Sequence, residues 1–533
     1  MSNHLKLPQK TLVALLLALF FVLALGGLHH MGLTYDEADH LRYGVNILHG
    51  DADRFDDSKM PVSAWNALPG LIAEHMSEGP VRDALAGTFA SRVPTVLAAL
   101  LLGLLVYRWA RELYGDKAGL LALSLFVLDV NILAHARWAT TDLYATLGTC
   151  AALYFFWRFQ RDGGPRAGGL SALTLGFAQI AKYSGVFLVP LFVMLAVVRH
   201  WHTLVATSGE GRQGWKRLRP KTTLGYVALF VIVVLLIINA GFLFRKSFTP
   251  LGEYAFRANL FRSVQHALPA ALPVPVPYPY LEGLDWVLQR ERAGSEFGNL
   301  YMLGELREGR GFKGYYFVAY LFKVPLPIQI LFIAAIICYW RRRPLFHFSR
   351  DEVFLLLPVL FFFVYFNFLF EADIGIRFLL VAFPMMHVFT ASLLAPQTAL
   401  GKRQQLTIGA LLIAALISVL SYAPHYLSYF NELVPDRKQA YRILADSNLD
   451  WGENEYWLKR WMEEHPGAIF EPASPVAGTI VVGVNNYTGV LNKDQFAWLR
   501  DGLNARPVSQ IAYSYLVFEV TPKDLERLSS TSQ

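Results

Sequence analysis

Long apolar runs separated by short polar connections extend along most of the chain. About eleven runs approach the roughly 20 residues that a helix needs to cross a bilayer, although several are shorter. They occupy residues 11–28, 93–107, 118–134, 143–157, 170–180, 185–198, 223–244, 316–340, 353–370, 378–394 and 406–422. The pattern predicts a polytopic α-helical membrane protein with an odd number of transmembrane helices.

Composition supports the same fold class. Of the 533 residues, 54% are hydrophobic and only 17% are charged, which is far more apolar than a soluble enzyme of this length. The two cysteines, Cys150 and Cys338, fall in different apolar runs. They therefore provide neither a cysteine metal site nor a framework of disulfides.

Basic residues mark every second connection between the runs. Arg108, Arg111 and Lys117 follow the second run, and residues 341–343, all arginine, follow the eighth. By the positive-inside rule the N-terminus is cytoplasmic and the C-terminus lies outside. The net charge of +7 then reflects cytoplasmic turns that face anionic lipid, and it requires no nucleic-acid partner.

The polar segments define the predicted domains. Residues 1–422 form the transmembrane domain, with long external loops at 29–92 and 245–315. Within these loops we expect a short helix at 67–76 and an extended proline-rich stretch at 273–279. Residues 423–533 are predicted as a small external α/β domain, periplasmic or extracellular. Its strands are expected at 479–484 and 509–520, and its helices at 453–463 and 494–503.

Charged residues gather on the predicted external face. Asp36 and Glu37 directly follow the first run, and insertion scales give about 2.5–3.5 kcal/mol for a charge at membrane depth. Asp142 adds a carboxylate, and four cations share the face, while Lys323 falls within a run. The four are Lys59, Arg137, Lys182 and Arg377.

This combination favours group transfer from a lipid-linked phosphate. Arginine and lysine bind phosphate and take up the charge that develops on a phosphate leaving group. A carboxylate such as Asp36 can deprotonate the incoming hydroxyl or amine. The alternatives are a solvated loop for the acidic segment and a snorkelling side chain for Lys323. Residues 446–451 form either a second acidic site or a turn in which Asp450 caps the next helix.

The motifs resemble those of the polyprenyl-phosphate-sugar-dependent glycosyltransferases of the GT-C fold. Those that carry the resemblance are Tyr35-Asp36-Glu37, Arg92-Val93-Pro94, Ala136-Arg137 with Thr141-Asp142, Lys182-Tyr183-Ser184-Gly185, Lys323-Val324-Pro325, Ile376-Arg377-Phe378 and Asp446-Ser447-Asn448. The similar families are the bacterial members of the protein O-mannosyltransferase superfamily and the lipid A aminoarabinose transferases. The resemblance extends to about residue 455 and implies a multi-pass protein of the bacterial cytoplasmic (inner) membrane.

The resemblance implies roles for particular residues. Asp36 would be the catalytic base, with Glu37 beside it. Substrate and phosphate binding would involve Lys59, Arg137, Asp142, Lys182, Tyr183, Lys323 and Arg377. The aminoarabinose branch has a glutamate before the loop lysine, whereas this chain has Ser58. That departure leaves open both the aminoarabinose assignment and any divalent metal site that would use the glutamate.

The predicted function is therefore a membrane glycosyltransferase, hexosyl- or pentosyl-transferring, that uses a polyprenyl-phosphate sugar donor. The acceptor is a protein, a lipid or another glycan, and the sequence does not distinguish among them. The alternative is a transporter or flippase of lipid-linked sugars. Transporters usually have repeats and polar residues in broken helices at the bilayer midplane. This sequence has no evident repeat, and its polar residues cluster at one interface.

Overall fold

The computed structural model describes residues 8–51, 58–205, 220–293 and 298–531. The predicted basic connection after residue 199 falls largely on residues 206–219, outside the described ranges.

The described helices are α1 Gln9–Leu25, α2 Glu37–Leu48, α3 Ala64–Glu74, α4 Pro80–Ala86, α5 Thr88–Tyr114, α6 Asp116–Val127, α7 Val130–His135, α8 Asp142–Asp162, α9 Pro165–Ala181, α10 Leu188–Val205, α11 Pro220–Gly241, α12 Asn259–Ala267, α13 Tyr278–Ala293, α14 Tyr315–Lys323, α15 Leu326–Arg341, α16 Val353–Phe368, α17 Phe383–Thr390, α18 Lys402–Leu420, α19 Glu455–Glu464, α20 Val484–Tyr487 and α21 Pro522–Thr531.

The predicted polytopic helical fold is confirmed. Within the described ranges, six helical segments are long and apolar enough to cross a membrane. They are Gln9–His30, Thr88–Tyr114, Tyr183–Trp201, Thr223–Gly241, Ile376–Leu394 and Lys402–Leu420. A seventh results if α14 and α15 form one span. Helices also lie at the other apolar runs, but they are shorter or less apolar, so the count of eleven stays a prediction.

The continuous helix expected at 316–340 is instead broken. α14 and α15 meet at 113°. Pro325 directly precedes α15, and Pro327 lies in its first turn. A proline has no N–H to donate and disfavours a helical conformation in the residue before it, so α14 ends before Pro325. The break leaves Lys323 in the last turn of α14.

Both long loops that are predicted to be external contain helices. The loop after α1 carries α2, α3 and α4, and α3 overlaps the helix expected at 67–76. In the second loop, α13 begins at Tyr278, inside the stretch expected to be extended to residue 279. Pro279 is accommodated there because the first turn of a helix does not need its N–H. A hairpin of β1 Asn299–Met302 and β2 Glu305–Glu308 follows.

The C-terminal part contains a four-stranded sheet in the order β3-β4-β6-β5. Its strands are β3 Ile469–Phe470, β4 Gly478–Gly483, β5 Ser509–Ile511 and β6 Tyr515–Val520. The single strand expected at 509–520 is therefore a hairpin, because Ala512 and Tyr513 adopt positive φ angles of 48° and 65°.

The sheet packs on both faces. Ile480 and Val482 of β4 join the main hydrophobic core of the helical part, whereas Val481 contacts the cluster that contains Leu458 of α19. Alternate residues of a strand point to opposite faces, which produces this division. The boundary of a separate domain at residue 423 stays a prediction.

The expected helix cap by Asp450 is wrong. α19 begins at Glu455 after Asn454, and no side chain caps its first turn. Asp450 Oδ1 instead accepts a hydrogen bond from the N–H of Gly452 at 3.0 Å, within the preceding turn. Aspartate commonly makes such a bond to the backbone two residues further on.

Candidate functional site

Two ion pairs lie side by side at one end of the helical bundle. Arg377 Nη1 donates to Asp36 Oδ2 at 2.7 Å, and Lys182 Nζ donates to Asp142 Oδ1 at 2.5 Å. Both cations approach the same ring, since Lys182 Nζ lies 4.4 Å and Arg377 Cζ lies 5.4 Å from the centroid of Phe378. We call Asp36, Asp142, Lys182 and Arg377 the charged cluster.

The ends of packed helices position the Lys182–Asp142 pair. Asp142 is the first residue of α8, and Lys182 directly follows α9, which packs against α8. The chain then turns back sharply, so that a Cβ on Gly185 would collide with the carbonyl of Ala178. Gln179 secures the turn by donating from Nε2 to the carbonyl of Gly185 at 2.7 Å. Lys182 is thus fixed opposite Asp142.

The C-terminal part shapes the surroundings of Asp36. The N–H of Tyr35 donates to the carbonyl of Trp451 at 2.9 Å, so the segment before α2 lies against residue 451. The ring of Trp451 in turn lies 4.4 Å from Cζ of Arg377. Asp36 precedes the first turn of α2 and keeps about a third of its side chain exposed, at 32%.

Glu37 has a different environment from its neighbour. Its side chain has no exposed surface, and Arg92 binds it through Nε to Oε1 at 2.9 Å and through Nη2 to Oε2 at 2.7 Å. The N–H groups of Thr34 and Ala139 also donate to it, at 2.9 and 2.8 Å. Four donors thus satisfy a sealed carboxylate, which suits a structural ion pair.

Two of the predicted phosphate-binding cations are committed to backbone carbonyls. Arg137 is 1% exposed, and it donates to the carbonyls of Pro424 and, at 2.7 Å, Gly26. Lys323 is also 1% exposed, and its Nζ donates to the carbonyls of Leu427 and Asn448. These contacts tie the C-terminal part to the helices, and they engage Nη1 and Nη2 of Arg137 and Nζ of Lys323.

The other predicted residues lie around the charged cluster. Tyr183 is buried, and its hydroxyl donates to the carbonyl of Pro279 at 3.4 Å, which links the Lys182 turn to α13. Lys59 is buried, and its charge acts on Asp36 and on His40. Within the described ranges, no group of three or more His, Cys, Asp or Glu side chains is arranged to hold a metal ion.

The cluster keeps Asp36 ionised. Burial alone would raise the pKa of Asp36, but the charge and hydrogen bond of Arg377, together with the charge of Lys59, lower the pKa below its ordinary value. His40 faces the same groups. Burial and the Lys59 charge lower the pKa of His40 to about 3, so the imidazole is neutral near pH 7.

Asp446 is a further carboxylate beside Arg377. Neighbouring contacts hold its segment in place, because Asn448 Oδ1 accepts from the N–H of Ile376 at 3.1 Å and Ser447 Oγ donates to the carbonyl of Ile374. Burial raises the pKa of Asp446 to about 6, despite the opposing charge of Arg377. The acidic segment at 446–451 indicated this carboxylate. Phe378 belongs to the Ile376-Arg377-Phe378 motif, but the sequence assigned no role to its ring.

The sequence matches the family model described as dolichyl-phosphate-mannose-protein mannosyltransferase over residues 84–238. The matched segment includes Asp142 and Lys182. No curated protein matches the chain.

Several solved structures are similar to the structure at low identity. The Saccharomyces cerevisiae protein O-mannosyltransferase Pmt1-Pmt2 complex, bound to the sugar donor, is 17% identical with a TM-score of 0.36, covering 45% of this chain and 34% of that chain. The Archaeoglobus fulgidus oligosaccharyltransferase in the apo form is 12% identical with a TM-score of 0.48, covering 87% of this chain and 60% of that chain.

A third similar structure is ArnT from Cupriavidus metallidurans bound to undecaprenyl phosphate. It is 14% identical with a TM-score of 0.32, covering 97% of this chain and 98% of that chain. The chain thus spans about a third of the yeast protein and three fifths of the archaeal one. The family match over residues 84–238 confirms the resemblance to GT-C-type glycosyltransferases that the motifs indicated.

Proposed function

We propose that this chain is a membrane glycosyltransferase that moves a sugar from a polyprenyl-phosphate donor to an acceptor at the outer face of the cytoplasmic membrane. The observation that carries the proposal is the charged cluster, where an ionised carboxylate is hydrogen-bonded to an arginine beside a lysine. The family match supports it, since the family description names a lipid-phosphate sugar donor and the matched residues include half of the cluster.

Arg377 and Lys182 are the proposed phosphate ligands. Their side chains keep 10% and 24% of their surface exposed, whereas Arg137 and Lys323 are sealed. A planar guanidinium and a point-charge ammonium at one site can together bind a phosphodiester and take up negative charge as its bond to the sugar breaks. Lys59 remains a third candidate because its charge reaches the cluster.

The two ion pairs suggest how the donor prepares the base. The donor phosphate competes with Asp36 for Arg377 and with Asp142 for Lys182. When the phosphate takes over Arg377, Asp36 loses the hydrogen bond and charge that lower its pKa. The released carboxylate is then both mobile and more basic, which suits a general base.

Transfer then proceeds in one displacement. An acceptor oxygen attacks the anomeric carbon of the donor sugar while Asp36 accepts the proton from that oxygen. The new carbon–oxygen bond forms as the bond between the anomeric carbon and the phosphate oxygen breaks. The bonding electron pair leaves with the phosphate, whose added charge Arg377 and Lys182 stabilise. The donor class is the same for a hexosyl or a pentosyl group, and for a protein, lipid or glycan acceptor.

The test is donor turnover by the full chain reconstituted in vesicles. A polyprenyl-phosphate sugar with labels in both the sugar and the lipid is supplied with envelope lipids and protein as acceptors. We expect release of free polyprenyl phosphate and the sugar label on an acceptor, which mass spectrometry then identifies. Movement of the intact donor between leaflets without cleavage would overturn the proposal and support the transporter alternative.

A further inference from the structure

Helix α12 in the second long loop presents an apolar row to the outside. Leu260 and Val264 are spaced by four residues and lie along one face of the helix, and Leu268 is the first residue after its end. Their exposed fractions are 52%, 42% and 45%. Leu272, in the segment that follows, continues the row and is also exposed. A contiguous apolar surface of this kind marks a site of interaction with a membrane or a partner.

A cavity lies directly under this row. It has a volume of about 280 Å³ and an apolar lining that includes Phe256, Phe261, Val264, Leu268, Leu272 and Leu281. Two aromatic side chains of the lining pack on each other, since the rings of Phe256 and Phe261 stack with centroids 5.2 Å apart. Because the lining offers hydrocarbon contacts, the cavity is suited to a hydrocarbon chain rather than to a sugar or a phosphate.

The row is continuous with a membrane span. The apolar helix α11 ends at Gly241, and Leu243, Phe244 and Phe248 directly after it are exposed. The N–H of Phe248 donates to the carbonyl of Val274 at 2.9 Å. The N–H of Leu251 likewise donates to the carbonyl of Leu272 at 2.8 Å, so the end of the span is joined to the cavity wall. This continuity places the cavity at the edge of the bilayer.

Basic side chains accompany the apolar surface. Arg245 and Lys246 are exposed beside Phe244, and Arg262 is exposed on α12. Cations at this position attract the anionic head groups of bilayer lipids. An amphipathic helix with apolar and basic residues typically lies in the plane of the interface.

We propose that residues 243–248 and 259–275, which we call the interfacial face, rest in the membrane interface and that the cavity holds an acyl chain of an anionic bilayer lipid. The proposal is independent of the charged cluster and of sugar transfer. It assigns the second external loop a lipid site next to α13, the helix that contacts Tyr183.

Photo-crosslinking of the full chain tests this site. The chain is reconstituted in phosphatidylglycerol vesicles that contain a small fraction of phosphatidylglycerol with a photoactivatable group on its acyl chain. We expect crosslinked peptides from residues 259–275. Val264→Trp should fill the cavity and reduce these crosslinks several-fold, while Ser263→Trp, an exposed neighbour that does not line the cavity, should preserve them. Absence of crosslinks there, or equal effects of both variants, would overturn the proposal.

A second measurement avoids the bulky substitution. A spin label on Val264→Cys, in a Cys150→Ala and Cys338→Ala background, should be relaxed by oxygen dissolved in the bilayer. The same label on Ser263→Cys should respond to an aqueous nickel reagent instead. Equal aqueous access at both positions would contradict the membrane placement. If stoichiometric polyprenyl phosphate displaces the phosphatidylglycerol crosslinks, the cavity binds the donor chain, and the assignment to bulk lipid is wrong.

Discussion

Arg377 Nη1 and Asp36 Oδ2 form a 2.7 Å hydrogen bond across 341 residues of sequence. The contact joins the residue at the start of α2 to the entry of the buried segment Ile376–Leu394. The proposed base is thus hydrogen-bonded to a proposed phosphate ligand, so binding of the phosphate affects the base directly. A phosphate that binds Arg377 must displace the carboxylate, and that competition makes the roles separable by experiment.

Asp36→Asn should abolish sugar transfer without weakening donor binding. The substitution removes the proton acceptor while keeping its size, and loss of a general base lowers the rate on the order of 100-fold or more. The donor dissociation constant should stay equal or fall, because Arg377 loses its competing carboxylate. Turnover and donor binding are measured on the same reconstituted protein.

Asp39→Asn is the matched control for this variant. Asp39 lies on the same helix, with its side chain 43% exposed and paired with Arg42, and its loss should leave turnover unchanged. Normal turnover in Asp36→Asn would exclude Asp36 as the base.

Charge removal at Arg377 or Lys182 should weaken donor binding. Each charge-assisted hydrogen bond contributes about 1.5–3 kcal/mol, which corresponds to roughly tenfold to hundredfold in the dissociation constant. Arg377→Gln and Lys182→Gln are compared by isothermal titration with a polyprenyl-phosphate sugar. Lys459→Gln, at an exposed pair with Glu455, serves as the control. If both cluster variants bind the donor normally, Lys59 becomes the main candidate.

Glu37→Gln should destabilise the protein rather than alter its chemistry selectively. Removing one partner of a buried ion pair leaves Arg92 with an uncompensated charge, which costs about 3–5 kcal/mol. We expect a lower melting temperature in detergent, followed by intrinsic fluorescence. Asp39→Asn, which breaks only an exposed pair, should melt like the unchanged protein. If the Glu37→Gln protein were stable but inactive, Glu37 would instead have a catalytic role.

Donor affinity should fall as pH rises through about 6. Burial raises the pKa of Asp446 to about 6, so its carboxyl is mostly neutral below that pH and negative above it. The negative form competes with the donor phosphate for Arg377. Asp446→Asn should remove this fall in affinity near pH 6. The variant should also bind the donor more tightly at pH 7 than the unchanged protein does. If donor affinity still falls near pH 6 in the variant, another group is responsible for the titration.

The predicted topology places the charged cluster on the outer face of the membrane. Alkaline phosphatase fused to the C-terminus of the full chain should be active, because the enzyme folds only outside the cytoplasm. A green fluorescent protein fusion at the same point should be dark. The opposite pair of results would place the C-terminal part on the cytoplasmic side, together with the charged cluster, because the N–H of Tyr35 is bonded to the carbonyl of Trp451.

The sequence by itself determined the helical membrane fold and the region of the site. An apolar run is a local feature that predicts a helix in lipid, and every predicted run coincides with at least part of a helix. The position of Asp36 after the first run, and of Lys182 and Arg377 in short turns, also follows from local pattern alone. The apolar pattern does not show the breaks at Pro325 and at residues 512–513, because a proline or a positive φ angle interrupts the backbone without lowering the hydropathy of the run.

Only the tertiary structure decided which charges meet in the candidate site. Asp36 and Glu37 are adjacent in sequence, yet packing seals Glu37 against Arg92 and leaves Asp36 partly exposed beside Arg377. Likewise, Arg137 and Lys323 are cations of the predicted face that the fold commits to backbone carbonyls. Burial and ion pairing depend on contacts between residues far apart in the chain. Hydropathy is a local property of the sequence, so it does not indicate which distant residues come into contact.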